Sequence, residues 1–273
     1  MRPGELDELL ELVAREGGRD LRDYARPALA RRLEERLAGR GDPAECMARL
    51  RGDRQALRRL GDELLVRATG WFRDPEVFGA LGSAVAPALA RALAPGLPLR
   101  AWSLGCATGE EPWSLAATLL RCLPPGRDFL LLASDVDPAA VRSAREACYD
   151  PGALESIPPA LRGAFQRRGD GDLEPVPALR ERVLFDTHDL VSPRLAPRQA
   201  IVAWFDLIAC RNLLLYLDSR LRGQALGRLV AALRPGGALV LGRDEASVLT
   251  EELPRFEPFP GIDPGLRIYR RAG

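Results

Sequence analysis

The residues best suited to bind a ligand are two adjacent glutamates, Glu110 and Glu111, which follow a glycine-containing turn at residues 105–109. This turn differs from the GxGxxG loop of dinucleotide-binding folds, and two carboxylates at the start of a helix would repel a pyrophosphate. An adenosyl ligand with a cationic end and no phosphate, such as S-adenosylmethionine, suits the turn better. The alternative is that both glutamates only stabilise the helix N-terminus.

Two aspartates, Asp135 and Asp137, end the next apolar run along the chain. An acid at the end of the strand that follows the glycine turn can bind the hydroxyls of a ribose. Asp137 precedes Pro138 and is expected to cap the following helix, whereas Asp135 lies one step deeper and is the better ribose ligand. Although either aspartate could serve only as a cap, the turn and Asp135 together favour an adenosyl pocket.

The elements that must position these residues follow two patterns. Up to residue 75 the sequence predicts successive helices, near 5–16, 22–38, 44–51 and 54–67, and a linker helix follows at 74–93. From residue 99 short apolar runs alternate with helices, which predicts a mainly parallel sheet with helices on both faces. The strands are predicted at 99–104, 129–137, 182–190, 205–212, 238–245 and 266–271, with an insertion at 150–181.

Composition excludes several classes of protein. The 273 residues carry a net charge of +1, which argues against a broadly cationic nucleic-acid-binding surface. Five scattered cysteines without CxxC spacing and a single histidine argue against a metal site and predict reduced thiols. No long uncharged apolar run is present, and the acidic N-terminal segment differs from a signal peptide, so we expect a cytoplasmic protein without membrane insertion.

Five sequence motifs resemble those of the CheR-type chemotaxis methyltransferases, and the resemblance runs nearly end to end. It implies an α/β protein in which a small all-helical N-terminal domain, 1–75, precedes a class I S-adenosylmethionine-dependent methyltransferase domain of Rossmann-like fold, 76–273. A small β-subdomain is implied within the insertion. The motifs are RATGWFRDPEVF, AWSLGCATGEEPWSLA, LLASDVDPAAVRSAR, FDLIACRNLLLYLD and LRPGGALVLGRDE.

The family transfers a methyl group from S-adenosylmethionine to glutamates on chemoreceptor cytoplasmic helices and releases S-adenosylhomocysteine. The resemblance implies that Arg73 and Tyr216 are catalytic. Three departures from the family pattern are Arg67 in place of asparagine, Asp189 in place of asparagine, and GRDE at 242–245 in place of GHSE. The implied cofactor-binding residues are Arg67, Thr69, Arg73, Glu111, Asp135, Asp189, Leu190, Arg211 and Asn212. Arg211 could instead be a structural ion pair.

A basic stretch in the helical domain is the candidate receptor-binding surface. Between residues 24 and 59 the chain has ten arginines and five acids, an excess that can steer an acidic helix towards the protein. The alternative is a solvated charged face. The resemblance implies substrate binding by the arginines of the second predicted helix and its approach, Arg26, Arg31, Arg32 and Arg36.

The insertion serves some family members as a docking edge for a receptor's C-terminal peptide. Here Pro175 and Pro177 would remove two backbone donors from one edge of a strand, which predicts an enzyme without such a tether. The prolines could also lie in a loop. We expect a monomer whose partner is the receptor helix bundle. Two other functions remain open: a non-catalytic signalling module that binds the cofactor, and a methyltransferase for a non-receptor substrate.

Overall fold

The computed structural model describes residues 3–17, 21, 29–30, 33, 49–64, 69–169, 171–192, 194–197, 204–243, 245 and 255–273. The chain divides into two compact units, one of Met1–Arg67 with Leu215–Arg222 and one of Ala68–Leu214 with Gly223–Gly273. In the part of the chain so described, no helix is both long enough and apolar enough to cross a membrane.

The first unit is helical in its described part. Helix α1 (Pro3–Leu12) continues into one π-helical turn, Val13–Gly17, and helix α2 spans Arg54–Leu64. Helical spacing places leucines of both helices on buried faces, which form one apolar core with Leu29 and Leu33. Most of the helix predicted at 22–38, and most of that at 44–51, lies outside the described residues.

The second unit is built on a seven-stranded sheet of order β5-β2-β1-β6-β7-β9-β8. The five strands from β5 to β7 are parallel, and β9 is antiparallel to both of its neighbours. This arrangement confirms the predicted fold class. The strands are β1 (Leu99–Leu104), β2 (Phe129–Asp135), β5 (Val183–Thr187), β6 (Phe205–Cys210), β7 (Leu233–Leu241), β8 (Phe256–Pro258) and β9 (Ile268–Arg271).

Helices of the second unit precede β1 and follow β1, β2 and β6 along the chain. Apolar side chains of residues 77–89, 113–119 and 141–147 pack with those of β1, β2, β5, β6 and β7 in one continuous core. The linker helix predicted at 74–93 is helical from Pro75 to Arg91, as α3, one π-helical turn and α4. The helices are α3 (Pro75–Ala80), α4 (Ala86–Arg91), α5 (Glu110–Cys122), α6 (Pro138–Glu146), α7 (Pro177–Arg180) and α8 (Ser219–Ala232), of which residues 219–222 are assigned to the first unit.

The insertion contains two 3-10 turns, a hairpin and the single turn α7. The hairpin pairs β3 (Phe165–Arg167) with β4 (Leu173–Pro175) in antiparallel register. The expectation that Pro175 and Pro177 share one strand edge is wrong, because only Pro175 lies in β4 and Pro177 opens α7. Proline favours the first position of a helix, where its missing N–H is not needed.

Candidate active site

The loop after β1 turns sharply at the carboxyl end of the sheet. Gly105, Ala107 and Gly109 have φ values of 67°, 44° and 103°, so the loop uses the left-handed region three times. The Cys106 N–H donates to the Ser134 carbonyl at 3.0 Å, and this bond holds the loop against the end of β2. The loop therefore lies beside the acid predicted to bind ribose.

Asp135 and Asp137 have separate roles. The Ala107 N–H donates to Asp135 Oδ2 and the Asp137 N–H to Asp135 Oδ1, both at 2.9 Å. Asp137 is the N-cap of α6 and accepts the Ala139 N–H at 2.9 Å. The Asp135 carboxylate thus lies directly against the loop. An ionised carboxylate offers about four acceptor positions and can accept hydrogen bonds from ribose hydroxyls.

The two glutamates that open α5 also differ. The Thr108 hydroxyl donates to Glu110 Oε2 at 2.7 Å, which closes a local turn. Glu111 Oε2 instead lies 3.1 Å from Arg211 Nη1. Burial raises the pKa of Glu111, and the Arg211 guanidinium opposes that rise. Glu111 therefore joins the start of α5 to the end of β6, which is more than the helix-end stabilisation that the sequence left open.

Arg211 is a buried arginine whose side chain contacts two carboxylates and a backbone carbonyl. Its side chain is only 2% exposed, and its Nη2 lies 2.5 Å from Asp74 Oδ2. The same nitrogen donates to the Arg73 carbonyl at 2.9 Å, while Arg211 Nε has no hydrogen-bond partner among the described residues. The ion-pair interpretation of Arg211 thus describes its observed contacts. Separating the partners of a buried ion pair would leave a buried charge without a counter-ion, which is strongly destabilising. The pair therefore holds the segment at Asp74 in place.

The segment that Arg211 holds has an unusual backbone. Phe72 and Asp74 have φ values of 45° and 58°, which non-glycine residues adopt only when the surrounding structure compels it. The Phe72 N–H donates to the Ser114 hydroxyl of α5 at 3.0 Å, and Arg211 holds the other end of the segment. The side chain of Arg73, between these anchors, is exposed. The strained turn therefore presents Arg73 to solvent from a fixed backbone.

Glu245 is a functional candidate that the sequence did not single out. Its buried carboxylate accepts backbone N–H groups from Asn212 at 2.9 Å, Leu214 at 2.7 Å and Gly242 at 2.6 Å. Burial raises its pKa, and these backbone donors oppose the rise. A Cβ at Gly242 would lie 2.8 Å from Glu245 Oε2 and 2.9 Å from the Asn212 nitrogen, so only glycine fits. Glu245 fixes Asn212, whose φ is 58°.

The segment after β5 lies next to Asp135. The His188 N–H donates to the Asp135 carbonyl at 2.9 Å, which places the predicted pair Asp189 and Leu190 near the same strand end. The exposed Asp189 carboxylate accepts the Val191 N–H at 2.9 Å. Leu190 is buried, and its carbonyl accepts a hydrogen bond from the Arg228 side chain at 2.5 Å.

The remaining predicted site residues fall in three groups. Thr69 lies shortly before the strained segment, and its hydroxyl oxygen is buried without a partner in the described part of the chain. Tyr216 belongs to the first compact unit, in the 3-10 turn Leu214–Tyr216. The predictions for Arg67, Arg26, Arg31, Arg32 and Arg36, and Asp244 of the GRDE motif, lie outside the described residues.

The residues gathered here fit S-adenosylmethionine. The acids of the site, Glu111 and Asp135, suit an ammonium group and ribose hydroxyls and disfavour a pyrophosphate. The Thr69 hydroxyl oxygen is buried without a hydrogen-bond partner among the described residues, and a positive φ at Gly105 lets the backbone approach a ligand closely. Among the described residues, no group of three or more metal-ligating side chains occurs.

The strand order, with one antiparallel strand near the edge, and the acidic loop after β1 define a class I S-adenosylmethionine-dependent methyltransferase fold. The chain belongs to the CheR methyltransferase family. Its all-alpha domain model matches residues 4–65, and its SAM binding domain model matches residues 67–258. S-adenosylmethionine is accordingly the cofactor.

Three relatives illustrate the range of the family. The chain is 34% identical to chemotaxis protein methyltransferase 2 of Pseudomonas aeruginosa over 83% of this chain and 79% of that protein. It is 33% identical to a probable biofilm formation methyltransferase of Pseudomonas putida over 85% of this chain and 54% of the relative. It is 31% identical to an uncharacterized 104.1 kDa protein of Rhodobacter capsulatus over 92% of this chain. The chain spans only 26% of that last relative.

Proposed function

We propose that this protein is a protein-glutamate O-methyltransferase that modifies the cytoplasmic helices of chemoreceptors in chemotaxis-type signalling, and that it acts in the cytoplasm. The observation that carries the proposal is the strained turn at Phe72 and Asp74, which presents Arg73 next to the acidic loop. The Arg73 charge also acts on the Glu111 carboxyl, where it opposes the rise in pKa that burial causes. A cation at this place can guide an incoming carboxylate.

The chemistry needs orientation rather than a base. A glutamate side chain has a pKa of about 4.3, so it is a nucleophile at neutral pH. S-adenosylmethionine supplies an electrophilic methyl group on a sulfonium. Because charge disappears as the methyl group is transferred, a pocket that excludes water lowers the barrier. Arg73 aims the carboxylate without binding it as a tight fork, and the Tyr216 hydroxyl orients the reacting groups.

The receptor helix is proposed to dock on the arginines of the helical unit. In the described part of α2 and its approach, Arg51, Arg54, Arg58 and Arg59 are exposed. Arg51 pairs with Glu8 of α1. Arg54, Arg58 and Arg59 follow along the helix and are exposed, and the sequence has no acid between them. The substrate-binding roles of Arg26, Arg31, Arg32 and Arg36 remain part of this proposal.

The absence of a C-terminal tether also remains a proposal, and the contacts of β4 now support it instead of a shared edge for Pro175 and Pro177. The Tyr149 N–H and carbonyl pair with Leu173 at 3.0 and 2.8 Å, so the outer edge of β4 is already used there. Pro175 has no N–H, and its carbonyl accepts the Arg180 Nε–H at 3.4 Å. These contacts leave β4 without a continuous edge for a peptide. We propose a monomer that finds its receptor without a tether.

The decisive experiment is transfer of a radiolabelled methyl group to a receptor cytoplasmic fragment. The proposal requires label that alkali releases as methanol, because carboxyl methyl esters hydrolyse readily. A matched fragment with its candidate glutamates replaced by alanine must stay unlabelled. Methylation at equal rates with and without the receptor's C-terminal peptide is expected. Base-stable label would contradict a glutamate acceptor, and a large rate loss on truncation would contradict the tether proposal.

One comparison supports a second candidate function. The relative named for biofilm formation matches over 85% of this chain. The same reaction could therefore serve a receptor whose output is surface growth instead of motility. Deletion of the gene, followed by separate motility and biofilm assays, distinguishes the two outputs. A non-catalytic module is excluded by any base-labile methyl transfer.

A further inference from the structure

We infer that Tyr149 is a positioning residue for the cofactor loop, through which the inserted hairpin supports one wall of the cofactor pocket. Tyr149 lies between α6 and the insertion, and it is no part of the loop itself. Its backbone and its side chain contact different parts of the second unit. The inference concerns cofactor binding, so it does not depend on which carboxylate accepts the methyl group.

The backbone of Tyr149 is anchored to the hairpin. Tyr149 and Leu173 form an isolated antiparallel bridge in which each donates to the other, at 3.0 and 2.8 Å. Leu173 in turn pairs with Arg167 of β3. Tyr149 therefore acts as a one-residue third strand, and its position is set by the hairpin.

The side chain of Tyr149 reaches the loop after β1. Its hydroxyl donates to the Thr108 carbonyl at 2.8 Å. A Cβ added at Gly109 would lie only 2.5 Å from that hydroxyl and 3.0 Å from Ala144 Cα. The loop backbone therefore packs closely against Tyr149 and α6 at this point. Burial strongly raises the pKa of the phenol, which keeps the hydroxyl protonated and able to donate at neutral pH.

The ring of Tyr149 also contacts the other wall of the site. Trp71 packs edge-on against Tyr149 with ring centroids 4.9 Å apart, and against Phe165 of β3 with centroids 5.1 Å apart. Trp71 immediately precedes the strained turn that presents Arg73. One aromatic cluster thus joins the hairpin to both the cofactor loop and the segment before α3. The insertion is consequently part of the cofactor site's framework.

Tyr149→Phe tests the inference, because it removes the hydroxyl and keeps the ring contacts. Loss of one buried hydrogen bond, worth about 1 kcal/mol, should raise the Kd for S-adenosylhomocysteine roughly fivefold in calorimetry. Amide hydrogen exchange of residues 105–113 should also become faster in the ligand-free protein. Tyr269→Phe is the matched control, since it removes a hydroxyl from a buried tyrosine of β9. It should leave both readouts unchanged.

The outcomes separate a positioning role from a structural one. Weaker binding and faster loop exchange in Tyr149→Phe alone support the inference. A lower melting temperature with an unchanged Kd and unchanged exchange at 105–113 would overturn it, since Tyr149 would then only stabilise the fold. Equal loss in Tyr269→Phe would also overturn it. Wild-type binding of S-adenosylhomocysteine without methyl transfer would contradict the proposed function and leave this inference intact.

Discussion

The Glu245 carboxylate accepts the Asn212 N–H at 2.9 Å and joins the loops that follow two adjacent parallel strands, β6 and β7. The same carboxylate accepts the N–H groups of Leu214 and Gly242, so it fixes each loop through its backbone. Asn212 is a predicted cofactor contact with a left-handed backbone. Glu245 therefore positions Asn212 without needing to touch a ligand.

Replacing Glu245 by glutamine should destabilise the protein. The amide nitrogen of glutamine would face donors that now meet a carboxylate oxygen, so at least one buried N–H loses its partner. We expect the free energy of unfolding to fall by about 2–3 kcal/mol in urea titration. Glu257→Gln is the control, because Glu257 is exposed and pairs with Arg270 at the surface. Equal stability of the Glu245→Gln and wild-type proteins would show that the Glu245 carboxylate does not hold the loops after β6 and β7 together.

Replacing Asp135 by alanine should weaken cofactor binding. Asp135 holds the loop at Ala107 and is the proposed ribose ligand, so S-adenosylhomocysteine affinity should fall by about 1–3 kcal/mol in calorimetry. Asp137→Ala gives the contrast. It removes the N-cap of α6, so it should cost about 1 kcal/mol of stability and little affinity. Equal affinities in the two variants would remove Asp135 from the site.

The sheet could be predicted from the sequence because each central strand is a short apolar run followed by a helical segment. The shortest strands do not show that pattern. β8 has three residues, of which only Phe256 is buried, and β3 and β4 lie in a proline- and charge-rich insertion, where only the family resemblance implied a β-subdomain. Their pairing depends on neighbours that periodicity does not reveal. The edges of the fold therefore required the structure.

The site could be predicted only in part, for a similar reason. The acids Glu111 and Asp135 stand at strand ends, where topology places ligands, and their positions follow from the local sequence. The ion pairs of Arg211 cannot be predicted from local sequence, because its partners Glu111 and Asp74 lie 100 and 137 residues away along the chain. A signal for Glu245 was available: it is an acid soon after an apolar strand, at the edge of the sheet that gathers the other site residues.

Replacing Arg73 by alanine, or Tyr216 by phenylalanine, should separate catalysis from cofactor binding. Both side chains are proposed to orient the reacting groups, so kcat should fall by about 100-fold while S-adenosylhomocysteine affinity changes little. Arg91→Ala, at the exposed end of α4, controls for the loss of one arginine. Full turnover of both variants at saturating receptor would show that neither residue acts at the reacting centre.

His188 should make the protein less stable as the pH falls. Burial lowers its pKa below the ordinary value of about 6.5; Asp189 and Asp186 oppose this shift, and Arg228 and Arg194 add to it. The unfolded chain therefore binds a proton more readily than the folded one does. Stability attributable to His188 is complete above the unfolded pKa and is lost as the pH falls through it towards the folded pKa.

The comparison that isolates this effect is thermal unfolding of wild type and His188→Gln at pH 7.5 and pH 5.5. Other groups, including Glu111 and Glu245 with their raised pKa values, titrate in both proteins and cancel in the difference. The melting temperature of wild type should fall more than that of His188→Gln between the two pH values. Parallel losses in the two proteins would show that His188 stays neutral, or is equally easy to protonate, in both states.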